Sequence, residues 1–141
     1  MRPLPLLLGL LIAATPGLAN PWELIVDIEY DETETETSWR VDKKIPEALR
    51  AQADGFTITG FYVPVEAQAK VSQFLIVPDP EDCPFCGSNG YGPTLEVHLA
   101  APMNDVPEAT KITVQGQLHF DESPETYRAV FLTEARLVAN N

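Results

Sequence analysis

Cys83-Pro84-Phe85-Cys86-Gly87 is the stretch of this chain whose residue types and spacing point most directly to chemistry. Two thiols separated by two residues can exchange electrons, hold a metal ion, or close a small covalent loop. Redox exchange needs a thiolate, which a helix N-terminus or a nearby cation must stabilise. Here Gly87-Ser88-Asn89-Gly90 works against a helix starting at the pair, and Asp79, Glu81 and Asp82 would raise the pKa of a neighbouring thiol. A periplasmic thiol-disulfide protein is the reading these neighbours disfavour.

Metal binding is better served. A Cys-Pro-x-Cys-Gly turn aims both sulfurs at one ion, as in zinc ribbons and rubredoxins, and suits Zn²⁺ or Cu⁺. A closed structural zinc site takes four ligands, and the chain has 2 cysteines and 2 histidines. A hairpin of residues 94–101 and 111–120, turning near Val106, would place His119 opposite about Thr94, at the exit of the cysteine loop. His98 would then lie four residues further along, roughly 13 Å away at the rise of a strand. This expectation makes Cys83, Cys86 and His119 the candidate metal ligands, with Asp79, Glu81 or Asp82 as a fourth, and leaves His98 as a solvated residue. In an oxidising compartment the alternative is a Cys83–Cys86 disulfide that only braces the loop.

Other chemistry has no foothold. No Gly-x-Ser-x-Gly elbow, phosphate loop, dinucleotide fingerprint or His-Glu-x-x-His pattern occurs. Carboxylates are too abundant for a glycosidase pair to stand out. Asp27, Asp31, Glu32, Glu34 and Glu36 lack the spacing of an EF-hand calcium loop. A non-catalytic protein is expected.

The elements that must position these residues are mostly strands. Trp22 to Tyr30 alternates apolar and polar residues and predicts a half-buried strand; Asp31 to Thr37, with Glu and Thr alternating, predicts a solvated loop or a frayed strand end. Ile45 to Ala53, with Pro46 in the first turn, predicts a two-turn helix stopped near Gly55. Phe56 to Val63 predicts a strand bent at Gly60, and Val71 to Val77 a second, ended by Pro78-Asp79-Pro80. Asp79 to Pro93 is the long loop with both cysteines. Thr94 to Ala101, Lys111 to Phe120 and Tyr127 to Val138 complete the strands. Five to six strands with one short helix predict a mainly β fold, a small OB-like β-barrel over residues 45–141; a sandwich is the alternative.

A chain of 141 residues allows one domain of ordinary size. Its 9 basic and 21 acidic residues give a net charge of −12, which opposes nucleic acid and anionic lipid and favours cations and basic partners. Met1-Arg2, the apolar run Leu4 to Leu18, and small residues at Gly17 and Ala19 have the pattern of a signal peptide, 1–19, cleaved after Ala19. Pro5, Gly9 and Pro16 break the run before it could span a membrane, and no cysteine near the cleavage point offers a lipid anchor. The expected compartment is the periplasm. Losing residues 1–19 removes Arg2 alone among the charged groups, so the acidity belongs to the exported part.

Ile45-Pro46, Gly55-Phe56-Thr57-Ile58-Thr59-Gly60-Phe61-Tyr62-Val63-Pro64, Gln73-Phe74-Leu75-Ile76-Val77-Pro78 leading to Cys83, Val114-Gln115-Gly116 and the closing Tyr127 strand together carry a resemblance. Over residues 45–138 the chain resembles a family of small exported bacterial proteins with a Gly-Phe-x-Val-Pro, Phe-Leu-Ile-Val-Pro and cysteine-loop order. More loosely, it is similar to exported OB-like domains of permease-associated proteins linked to metal handling. The resemblance implies metal traffic, and it carries over no ligand beyond Cys83 and Cys86. The alternative expectation is an interaction module that holds a membrane transport protein, with Cys83 and Cys86 only bracing the loop.

Overall fold

The computed structural model describes residues 19–81 and 93–138. Most of the expected Trp22–Tyr30 strand is a helix, and only its last two residues are strand. Asn20 Oδ1 accepts the Trp22 N–H at 3.0 Å and Pro21 sits in the first turn, so helix α1 (Pro21–Val26) is capped before any ladder can form. The apolar positions serve the helix equally well. Leu24 and Ile25 are its buried face, and Ile28, just past the Asp27 cap, is buried with them at the i, i+1, i+4 spacing of a helical stripe.

The Glu/Thr-rich stretch is the first half of a hairpin. β1 (Glu29–Glu34) pairs antiparallel with β2 (Trp39–Lys44), from Glu29 opposite Lys44 to Glu34 opposite Trp39. The turn closes where the Thr35 N–H reaches Ser38 O at 2.8 Å, and the Thr35 hydroxyl accepts the Ser38 N–H at 3.0 Å. Every residue of β1 is exposed, which is why the sequence leaves a solvated loop and a frayed strand end as alternatives. Helix α2 (Glu47–Arg50) is shorter than the expected Ile45–Ala53. Pro46 is its extended cap at ψ 136°, and Gly55 lies beyond it in the left-handed region at φ 64°. Leu49, the fully buried residue of α2, seats it on the core.

Five strands then close a barrel: β3 (Phe56–Pro64), β4 (Lys70–Val77), β5 (Leu95–Asn104), β6 (Lys111–Phe120) and β7 (Val130–Val138), in the order β3-β4-β5-β7-β6. The fold is mainly β and consistent with a small OB-like barrel, as the strand pattern predicts. One expected pairing fails. β5 and β6 are not neighbours; β7 lies between them, parallel to β5 and antiparallel to β6. The connection after β5 is pinned to β3 instead, Tyr62 N–H to Thr110 O at 2.9 Å and Ala109 N–H to Tyr62 O at 2.8 Å. That anchor sends β6 to the far side of β3, where Phe56 opposes Gly116 and Phe61 opposes Lys111. β7 starts at Val130 rather than Tyr127, because the residues before it are engaged with the hairpin: Pro124 O accepts the Val41 N–H and Arg128 O accepts Lys43 Nζ.

Inward side chains fill the barrel. Ile58, Tyr62, Phe74, Ile76, Leu95 and Leu132 are all but sealed from solvent, each worth about 1.5–3 kcal/mol of burial. Gly60 lets β3 pass close to β4: a Cβ there would stand 2.5 Å from Val77 O and 3.0 Å from Trp22 Cζ2. Through that contact α1 docks on the barrel wall, and the Trp22 indole donates to Thr59 O at 2.7 Å.

Candidate functional surfaces

With apolar residues turned inward, chemistry is left to the outer face of β5, β7 and β6. Their register puts Glu96, Phe131 and His119 in one row across three strands. His119 stacks on the Phe131 ring at 5.3 Å with 16° between planes, and His98 tilts against the same ring at 6.0 Å. Arg128 lays its guanidinium over Phe131 at 4.7 Å, a cation–π contact. Its nitrogens also reach Asp121 Oδ2 at 2.9 Å and Glu96 Oε1 at 3.3 Å. His98 Nε2 shares that Glu96 oxygen at 2.5 Å, and His119 Nε2 is 2.8 Å from the Thr133 hydroxyl.

The charges are locked rather than poised. Hydrogen bonds from Arg128 hold the Asp121 carboxyl below its ordinary range against a partial desolvation that opposes the shift, and the same bonds raise the Arg128 guanidinium. Lys43 is pushed down by burial while its ammonium donates to the carbonyls of Asp121 and Arg128, both at 2.7 Å. These ties clamp β2 to the start of β7.

A second surface is the seam between hairpin and barrel. Glu32 accepts the Trp39 indole N–H and the Tyr127 hydroxyl, both at 2.5 Å. The Tyr127 bond, then the Trp39 bond, holds the Glu32 carboxyl below its usual range. Tyr127 lies 5.2 Å from the Trp39 ring and 6.1 Å from Tyr30. Tyr30 and Tyr127 remain 47% and 44% exposed, so the seam presents aromatic surface to solvent.

Of the residues singled out from sequence, Cys83, Cys86 and Asp82 lie outside the described residues, and with them the disulfide question. Asp79 and Glu81 are exposed at the exit of β4, where Asp79 Oδ1 accepts the Glu81 N–H at 2.9 Å. His119 is exposed, in the row of Glu96 and hence near the start of β5, the strand that follows the cysteine segment. His98 and His119 sit on strands flanking β7, each against the Phe131 ring. Among the described residues no group of three or more His, Cys, Asp or Glu is placed to hold an ion. A depression of about 130 Å³ beside Val65, Gln68 and Val71 is smaller than a site that encloses a small ligand.

Sequence reasoning missed Phe131, Arg128, Trp39 and Tyr127 as surface groups. Their signal was available for one of them: Phe131 stands out of phase with the inward Val130 and Leu132. The others depend on loops that meet only in the fold. Comparisons with protein-family models, curated proteins and solved structures find no match to this chain.

Proposed function

We propose that this is a non-catalytic periplasmic binding or accessory protein that engages a partner through the outside of its barrel. The single observation that carries the reading is the division of side chains. Apolar groups fill the interior, while the aromatic and charged groups Phe131, Arg128, Tyr30 and Tyr127 are fixed in place on the outside by stacking and ion pairs. Half-exposed aromatics held rigid are the groups that anchor protein interfaces. A protein acting within a membrane transport system would use such a surface to hold its partner.

The test is the size of the complex in gently solubilised cell envelopes. The protein should migrate in an assembly larger than the monomer, and a Tyr127→Ser, Phe131→Ser double variant should return to monomer size with its circular dichroism unchanged. Monomer migration of the unaltered protein would overturn the reading.

A second reading is that Cys83 and Cys86, joined by His119, bind Zn²⁺ or Cu⁺. It draws on the Cys-Pro-Phe-Cys-Gly turn and on the position of His119 near the start of the strand that follows. Bound there, the ion would brace the segment or be cargo; His119 would have to give up its Thr133 contact or use its other ring nitrogen. Reduced protein should take up about one equivalent of metal, lost in Cys83→Ser. No uptake, or no free thiols in protein purified from the periplasm, would leave the disulfide.

A further inference from the structure

The barrel strands have neighbours on both sides, whereas β1 is paired on one side only. Which of its backbone groups are open follows from the turn. The Thr35 N–H bonds Ser38 O, so in this register the bonded pairs are Thr33 with Arg40, Asp31 with Asp42 and Glu29 with Lys44. The amides and carbonyls of Tyr30, Glu32 and Glu34 therefore point away from β2. The same alternation holds on β2, where Val41, opposite Glu32, turns its N–H outward and donates to Pro124 O at 2.9 Å. On β1 no such cover exists among the described residues. The outer edge offers three N–H and three C=O groups on a strand that is exposed throughout.

The side chains choose the occupant. A second copy of β1 would bring Glu29, Asp31, Glu32 and Glu34 against the same four carboxylates, an arrangement that like charges oppose. A cationic strand meets the opposite situation. Asp31 stands directly across from Asp42, and Arg40 engages Asp42 at 2.6 Å; among the described residues no cation lies within ion-pair distance of Asp31. In an antiparallel addition Asp31 would face a non-hydrogen-bonded position, where paired side chains come closest. One residue away, on the other face, Tyr30 and Tyr127 offer aromatic surface.

We infer that the outer edge of β1 accepts an extended segment of a basic partner as an added strand, with Lys or Arg beside Asp31 and an apolar or aromatic residue beside Tyr30. This deepens the surface-binding reading and rests on it. Main-chain bonds would supply affinity and the alternating side chains specificity.

The test uses the peptide Lys-Val-Lys-Tyr-Lys-Val-Lys and hydrogen exchange read amide by amide on the whole purified protein. At saturating peptide the amides of Tyr30, Glu32 and Glu34 should exchange at least about tenfold more slowly, while Glu29, Asp31 and Thr33, already bonded to β2, should not change. Uniform slowing, or none, overturns the inference. Glu34→Pro removes one outward donor without touching the β2 ladder and should weaken binding roughly fivefold. N-methylation of the peptide at alternate residues should abolish binding in one phase and spare it in the other, a measurement independent of any variant. The Glu-for-Lys peptide should not bind. A dimer with protected β1 edge amides in the absence of peptide would overturn the choice of occupant. Peptide effects confined to Phe131 and His119 would overturn the inference and leave the surface-binding reading standing. Loss of the envelope complex would instead remove that reading.

Discussion

Replacing Gly60 by Ala tests how the barrel and its N-terminal helix are joined. The added methyl would lie 2.5 Å from Val77 O, 2.8 Å from Ile76 Cγ1 and 3.0 Å from Trp22 Cζ2. The first obstacle is backbone and cannot swing aside: Val77 is paired with Phe61, the residue after Gly60. The second belongs to a fully buried side chain, and the third to an indole whose N–H is held by Thr59 O. Overpacking of a tight core costs about 1–3 kcal/mol, and the upper part of that range applies where backbone must move. Ala recovers about 0.5–1 kcal/mol over Gly within a strand. The net loss is about 2 kcal/mol, a fall in Tm of roughly 8 °C for a domain of this size. Thermal melts followed by circular dichroism measure it, and Trp22 adds a local probe, since its fluorescence and near-ultraviolet signal should change as the indole leaves the wall. A Tm within about 2 °C of the parent and an unaltered Trp22 signal would refute the close approach of β3, β4 and α1.

Two further substitutions address polar ties. Tyr62 is buried, packs 5.1 Å from Phe74 and donates its hydroxyl to Asp105 Oδ1 at 2.6 Å; Tyr62→Phe should cost about 1–2 kcal/mol in urea unfolding. Burial, then the bond to Asp105, pushes the Tyr62 phenol well above its ordinary value of 10.0, so its contribution is complete below about pH 10 and is lost as pH rises through the raised value. The variant should therefore lose the steepest part of the alkaline decline in stability. Asp121 is shifted the other way, held below its ordinary value of 3.8 by Arg128. Its contribution is complete above that value and is lost as pH falls through the lowered one, so Asp121→Asn should flatten the fall in urea midpoint between about pH 5 and about pH 2. An unchanged acid profile would refute the clamp at Arg128.

The parts of the fold that the sequence made legible are those where one periodicity had one meaning. Phe56–Tyr62, Thr94–His98 and Lys111–Phe120 alternate because their inner face is buried and their outer face is wetter; Val71–Val77 breaks phase at a bulge between Val71 and Gln73 but is rich in apolar and β-branched residues, and all four stretches form barrel strands. Trp22–Tyr30 misled because Trp22, Leu24, Val26 and Ile28 alternate while Leu24, Ile25 and Ile28 also satisfy a helix, and the cap at Asn20 and Pro21 decided between them. β1 was legible only as a loop or a frayed strand end, because a strand with neither face buried leaves no hydrophobic pattern to choose between them. The expected β5–β6 hairpin failed for a non-local reason, the pinning of Thr110 and Ala109 to Tyr62. Pairing order is set by such contacts and not by spacing along one strand. The surface around Phe131 shares that origin: Glu96, Arg128 and His119 come from three separate segments and meet only when β7 slots between β5 and β6.

The claim that this protein works by holding a partner on its outer surface is tested most directly by a photo-crosslinking amino acid placed, one position at a time, in cells producing the full chain. Substitution at Tyr127, Tyr30 or Phe131 should yield a discrete adduct of one partner mass, and substitution at Thr57, exposed on β3 opposite Gln115, should not. Adducts of equal yield at every position, or none at the three aromatic positions, would contradict the account.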